Sequence, residues 1–170
     1  MTELHWISGP WTGRLAIAAR PRGGDWLTEE MRAWRQAGVD TVVSLLTAGE
    51  EMDLDLVGER AAAQASGMSF ISFPIVDRSV PDSREEMARF IGQVVEELTR
   101  GNTVVIHCRQ GIGRAALLAA SLMILRGLTV EQSLAEISNT RGVAVPETVE
   151  QRAWLIQFSQ ELPAAAIPLR

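Results

Sequence analysis

An α/β fold with a largely parallel sheet is what this chain predicts, and three observations predict it. Short β-branched runs alternate with helical patterns, several of those patterns stop at a glycine, and a helix apolar on nearly every side follows the clearest strand. At 170 residues the chain suits one domain, a central sheet flanked by helices over 1–162, with a short tail at 163–170.

Taken in order, "GRLAIAA" at 13–19 reads as an edge or early strand. Leu27, Met31 and Trp34 mark one helix face before a stop at Gly38. "TVVSLL" at 41–46 is a buried strand, and Leu54, Val57, Ala61 and Ala65 mark a second helix face before Gly67. "SFISFPI" at 69–75 gives the next strand. In "DSREEMARFIGQVVEELTRG", Met87, Phe90, Ile91, Val94, Val95 and Leu98 recur at three- and four-residue steps until Gly101, with Asp82 or Ser83 as the cap. "TVVIHC" at 103–108 is the clearest strand, and 113–126 is a helix buried within the domain. "TVEQSLAEISN" and "PETVEQRAWLIQFSQEL" supply two more helices, Pro146 standing at the first position of the second.

Composition narrows the function classes. An apolar fraction of 46% argues against disorder, and a single cysteine cannot form an internal disulfide, which suits a reducing, cytoplasmic setting. The opening "MTELHWISGPW" lacks a basic start followed by an apolar stretch, so no signal peptide is expected. The longest nearly apolar run, 115–125, is too short for a bilayer. A formal charge of -5 gives no general attraction to nucleic acid or acidic lipid, so neither is expected as a partner, and the protein is expected to be a monomer. A local site can still oppose the global charge.

The chemistry concentrates in "HCRQGIGR", where residues 108–114 join a buried strand to a buried helix. Gly111 and Gly113 let the backbone curl so that its amide hydrogens point inward, and the helix adds its positive end. Such a cradle fits a tetrahedral oxyanion: the amides of Arg109, Gln110, Gly111, Ile112 and Gly113 line it, and Cys108 lies where they favour a thiolate. Arg114 adds a planar fork for two phosphoryl oxygens. A lone cysteine after a strand is more often a small buried hydrophobe. The spacing, the two glycines, the preceding strand and the apolar helix together make the phosphate reading dominant.

This segment resembles the signature of the cysteine-dependent protein tyrosine and dual-specificity phosphatases: histidine, cysteine, five residues, arginine. The likeness covers roughly 10–158 and is closest to the compact branch of cyclin-dependent kinase inhibitor-3-type phosphatases and their bacterial relatives. It implies that Cys108 attacks phosphorus to form a phosphocysteine, that Arg114 binds phosphate, and that His107 holds the loop and tunes the thiolate. One position departs. The family usually has serine or threonine after the arginine, where the hydroxyl helps the thiolate leave, and this chain has Ala115. An active enzyme with a handicapped second step is the expectation; a phosphate-binding pseudophosphatase is the competing reading.

A departing alkoxide or phenolate needs a proton, and "FPIVDRSVPDSREE" offers Asp77 and Asp82. Asp82 has a use as a helix cap, whereas Asp77 follows a strand with no local task, and the resemblance places the acid on Asp77. The stretch "RGVAVPETVEQRAWLIQF" resembles the segment that presents a glutamine beside the cradle, which makes Gln151 either a residue that orients the hydrolytic water or a solvent-facing one. Arg141 either supports the cradle or pairs with a surface acid. No metal or cofactor is implied, since His5 and His107 are the only histidines and the loop lacks the lysine of a nucleotide-binding loop. The expected substrate is a phosphorylated protein or peptide carrying phosphotyrosine, with phosphoserine and phosphothreonine open. A phosphoinositide or small phosphomonoester ranks below it.

Overall fold

The structure, a computed structural model, describes residues 1–162; the tail expected at 163–170 lies outside the described residues. Five strands form one sheet: β1 (His5–Ile7), β2 (Arg14–Ala18), β3 (Thr41–Ser44), β4 (Ser69–Ser72) and β5 (Thr103–His107). Their spatial order is β1-β2-β5-β3-β4, parallel throughout except that β1 runs antiparallel to β2. The clearest strand of the sequence, β5, is therefore central, and all five of its residues are buried. In an open parallel sheet, ligands bind beyond the carboxyl ends of the strands, which is where β5 delivers Cys108.

Alternation along the strands feeds two cores. Leu15, Ile17, Val43, Val104 and Ile106 share one with α4 (Arg84–Thr99), α5 (Arg114–Leu125), α6 (Val130–Arg141) and α7 (Val149–Glu161). Ala16, Ala18, Val42 and Val105 share the other with α1 (Leu27–Gln36) and α3 (Glu59–Ala65). Eleven of the twelve residues of α5 are buried, as its unbroken apolar pattern predicts. Truncating one of them, such as Leu117, to alanine costs on the order of 2–5 kcal/mol because the packed surroundings relax only partly.

Several expectations are corrected. Of the two readings of 13–19, the early strand holds and the edge does not: β2 lies between β1 and β5, and its alanines face α1 and α3. The outer strand β1, three residues long, carries no periodic signal of its own. Strands β3 and β4 stop at Ser44 and Ser72, short of Leu46 and Ile75, although backbone bonds continue beyond them, Leu45 N–H donating to His107 O and Ile75 N–H to Leu45 O, each at 3.1 Å. The helix face drawn through Val57, Ala61 and Ala65 is exposed, whereas Leu56, Glu59 and Ala63 are buried. Two short helices stand there, α2 (Ala48–Asp53) and α3, and Asp55 between them at φ 55° resets the phase. Ser83, not Asp82, caps α4 by accepting from Glu86 N–H at 3.2 Å. Thr148 caps α7, which leaves Pro146 outside the helix.

Candidate active site

Residues 108–114 leave β5 and turn into the first residue of α5. Gly111 has to be glycine on two counts: its φ is +73°, and a Cβ there would stand 2.5 Å from Ala18 O of the adjacent strand. Its N–H donates to Cys108 Sγ at 3.2 Å. Cys108 is buried, Arg109 and Gln110 are exposed, and Ile112 is half-buried. A Cβ on Gly113 would lie 2.9 Å from Glu147 Oε2 and 3.1 Å from Gln151 Nε2, so the bare backbone makes room for the start of α7.

Arg114, only 1% exposed, is held on every side but one. Nη1 donates to Glu50 Oε2 at 2.7 Å, Ile75 O at 2.7 Å and Leu45 O at 3.3 Å. Nη2 donates to Glu50 Oε1 at 2.8 Å and Asp77 Oδ1 at 2.7 Å. Glu50 therefore grips the end of the guanidinium bidentately. The side edge, Nε with Nη2, has Asp77 on one nitrogen, while Nε, on the other side, is buried and has no partner among the described residues. That edge is the second bidentate face of the fork and can take two oxygens of a phosphoryl group. Burial would lower the guanidinium's pKa, but the bonds to Glu50 and the charges of Cys108, Glu50 and Asp77 raise it above its ordinary value. Burial would likewise raise Glu50, yet the bonds from Arg114 and Thr47 hold its carboxyl below the usual range.

Glu50 was invisible as a site residue in the sequence, although a local signal marks it. Thr47 and Glu50 form a capping box at the start of α2, Thr47 Oγ1 accepting from Glu50 N–H at 3.3 Å and Glu50 Oε2 accepting from Thr47 N–H at 3.0 Å. The box fixes the helix end, and the helix end aims the carboxylate at Arg114, 64 residues away.

The structure brings Asp77 to the same guanidinium as the loop; Asp82 has no bond to Arg114. Asp77 sits in a turn closed by Ser79 N–H to Val76 O at 3.0 Å, with its side chain 43% exposed. Gln151 is fully buried rather than solvent-facing. Its Oε1 accepts from Thr148 N–H at 3.2 Å, closing the capping box of α7, and its Nε2 donates to Ser79 O at 3.1 Å, so one end of the amide fixes the start of α7 and the other ties it to the turn of Asp77. Arg141 rests on the loop from outside, donating to Gln110 O at 3.1 Å and lying against His5. Burial, then the charge of Arg141, lowers the pKa of His5. Behind the loop, His107 Nε2 stands 2.8 Å from buried Glu59 Oε1, and its ring lies 6.0 Å from that of Trp34. Ala115 is buried in the first turn of α5, and among the described residues no hydroxyl donates to Cys108 Sγ.

Residues 16–128 match the family model described as "Polymorphic toxin system, DSP-PTPase phosphatase". The match runs from β2 past α5, taking in Asp77 and the whole of the loop. Over 143 residues, 81% of this chain, the sequence is 27% identical to cyclin-dependent kinase inhibitor 3 of Homo sapiens, of whose length it covers 64%. The chain thus spans less than two thirds of that relative. A crystal structure of kinase associated phosphatase, with its catalytic-site cysteine replaced by serine, superposes with a TM-score of 0.86 at 21% identity, a likeness of fold, over 96% of this chain and 97% of that one. Tk-PTP in its active form gives 0.78 at 26% identity over 94% and 97%. Among the described residues no helix is long and apolar enough to cross a membrane.

Proposed function

The chain belongs to the DSP-PTPase phosphatase family, and from that premise we propose that it hydrolyses phosphomonoesters on phosphorylated proteins or peptides through a phosphocysteine at Cys108. The observation that carries the reading is the half-empty edge of Arg114. A buried cation, gripped by Glu50 and within reach of the charge of Cys108, keeps one N–H unpaired among the described residues, where an oxyanion would complete it.

The Cys108 thiolate attacks phosphorus in line with the ester oxygen. As the S–P bond forms and the P–O bond breaks, the leaving oxygen takes a proton from Asp77 in its acid form. Amides from Arg109 to Gly113 and the Nε/Nη2 edge of Arg114 hold the equatorial oxygens, where charge accumulates. Asp77 must release Nη2 for the incoming phosphate, which frees its carboxyl for the leaving group. Water then attacks phosphorus and gives a proton to the Asp77 carboxylate, which restores its acid form; the S–P bond breaks, and inorganic phosphate departs with the thiolate restored. Without a hydroxyl at position 115, that second step is slow. His107, Gln151 and Arg141 touch the walls and back of the cradle and support its shape.

The absent hydroxyl also favours a second reading, a module that captures phosphorylated partners without turning them over. Phosphate release from a phosphotyrosine peptide separates the two. Wild-type protein should release phosphate over many turnovers and Cys108→Ser none; tight peptide binding with no release above background would establish the binding module instead.

A further inference from the structure

The turn that carries Asp77 breaks a local rule. Residues 76–79 close through Ser79 N–H to Val76 O, and the third position, Arg78, has φ 62°. Turns with a left-handed third position take glycine or asparagine there, and arginine has neither the missing Cβ nor a short polar group to offset the strain. The side chain of Arg78 has a distant use. Nη1 donates to Glu147 Oε1 at 2.7 Å across 69 residues, and the other oxygen, Oε2, lies against Gly113 in the phosphate loop.

Four ties hold residues 75–79 to the site: Ile75 O on Arg114, Asp77 on Arg114, Arg78 on Glu147, and Ser79 O on Gln151. An entering phosphate competes directly for one of them, because it takes the Nη2 that Asp77 occupies. The Arg78–Glu147 pair stands outside that exchange. We propose that Arg78 and Glu147 are positioning residues whose ion pair keeps the turn of Asp77 docked on the phosphate loop after phosphate has displaced Asp77 from Arg114. The pair has a second effect: Arg78 neutralises a carboxylate that would otherwise face an anion site uncompensated.

This rests on the phosphatase reading, and the two effects give the variants different signatures. Glu147→Ala removes the tie and the carboxylate together. It should slow turnover of a phosphotyrosine peptide about tenfold while leaving an activated aryl phosphate within about twofold, with KM little changed, because only the poor leaving group needs the acid. Arg78→Gly removes the tie but leaves Glu147 charged, so it should show the same leaving-group dependence and also raise KM for both substrates. Glycine suits the positive φ, so this variant should melt no lower than wild type. The reciprocal pair Arg78→Glu with Glu147→Arg should recover most of the phosphotyrosine rate.

Amide exchange at Ser79, whose N–H closes the turn, gives a readout that needs no catalysis. It should quicken by about three- to fivefold in Glu147→Ala, the scale of a part-exposed ion pair, and return toward wild type in the reciprocal pair. Unchanged Ser79 exchange in Glu147→Ala, or equal rate losses for the two leaving groups, would overturn the proposal. Faster exchange in a protein whose wild type releases no phosphate would support the docking role and overturn the phosphatase reading instead.

Discussion

Glu50→Gln removes one charge from the bidentate grip on Arg114 and leaves the shape of the side chain intact. Breaking a buried ion pair by deleting one partner typically costs about 3–5 kcal/mol, since the other charge is left uncompensated. Here Asp77 and the carbonyls of Leu45 and Ile75 remain on the guanidinium, and a glutamine oxygen can still accept one bond and serve the capping box. The cost should fall to roughly 2 kcal/mol, a drop in melting temperature of about 4–8 °C for a chain of this size. The pH dependence follows from the depressed carboxyl of Glu50. A group whose folded pKa lies below its unfolded value contributes stability that is present above the ordinary carboxylate range and is lost as pH falls through the folded pKa. The gap between wild type and Glu50→Gln should thus be widest near neutrality and close on acidification below about pH 4.5. Thermal melts across that range, with phosphate affinity measured alongside, are the assay. A variant as stable as wild type at neutral pH, or a gap that persists unchanged into acid, would refute the assignment of Glu50 as the aiming partner of Arg114.

Three further outcomes follow from the same geometry. Asp77→Asn should slow phosphotyrosine turnover by about 10²-fold or more and an activated aryl phosphate far less, as measured by paired steady-state assays. Ala115→Ser should raise the steady rate and leave the pre-steady-state burst rate nearly unchanged, because the hydroxyl would assist only departure of the sulfur; stopped-flow release of product reads both. Gly111→Ala should destabilise by about 2 kcal/mol or more in denaturant melts, since its φ of +73° and the 2.5 Å approach to Ala18 O both exclude a Cβ.

What was legible in the sequence is what local pattern encodes. The β-branched run of β5, the glycines at 111 and 113, and the apolar ring of α5 are contiguous, so the loop between them could be read with its Cys108 and Arg114. Asp77 was reachable because it closely follows the apolar run at 69–75 and because the family resemblance points to the same position. The rest depends on partners far along the chain. Glu50 and Arg114 are 64 residues apart and Arg78 and Glu147 69 apart, and neither distance leaves a periodic trace. The stretch at 54–65 was misread because Asp55 at positive φ breaks the helical phase and because a glutamate, Glu59, is buried against His107 where the pattern favours an alanine face. The sequence leaves β2 open as an edge or early strand because small alanines, packed where α1 and α3 cover the sheet, weaken the signal of a central strand.

The intermediate itself offers the most direct measurement. Wild-type protein mixed with a phosphotyrosine peptide, quenched in acid within the first turnovers and digested, should carry one phosphoryl group on the peptide containing Cys108. That species should be abundant, because breakdown is slow without a hydroxyl at 115, and it should fall in Ala115→Ser. Phosphate released with no phosphoryl group on Cys108 at any quench time, or with the group on another residue, would contradict a phosphocysteine mechanism.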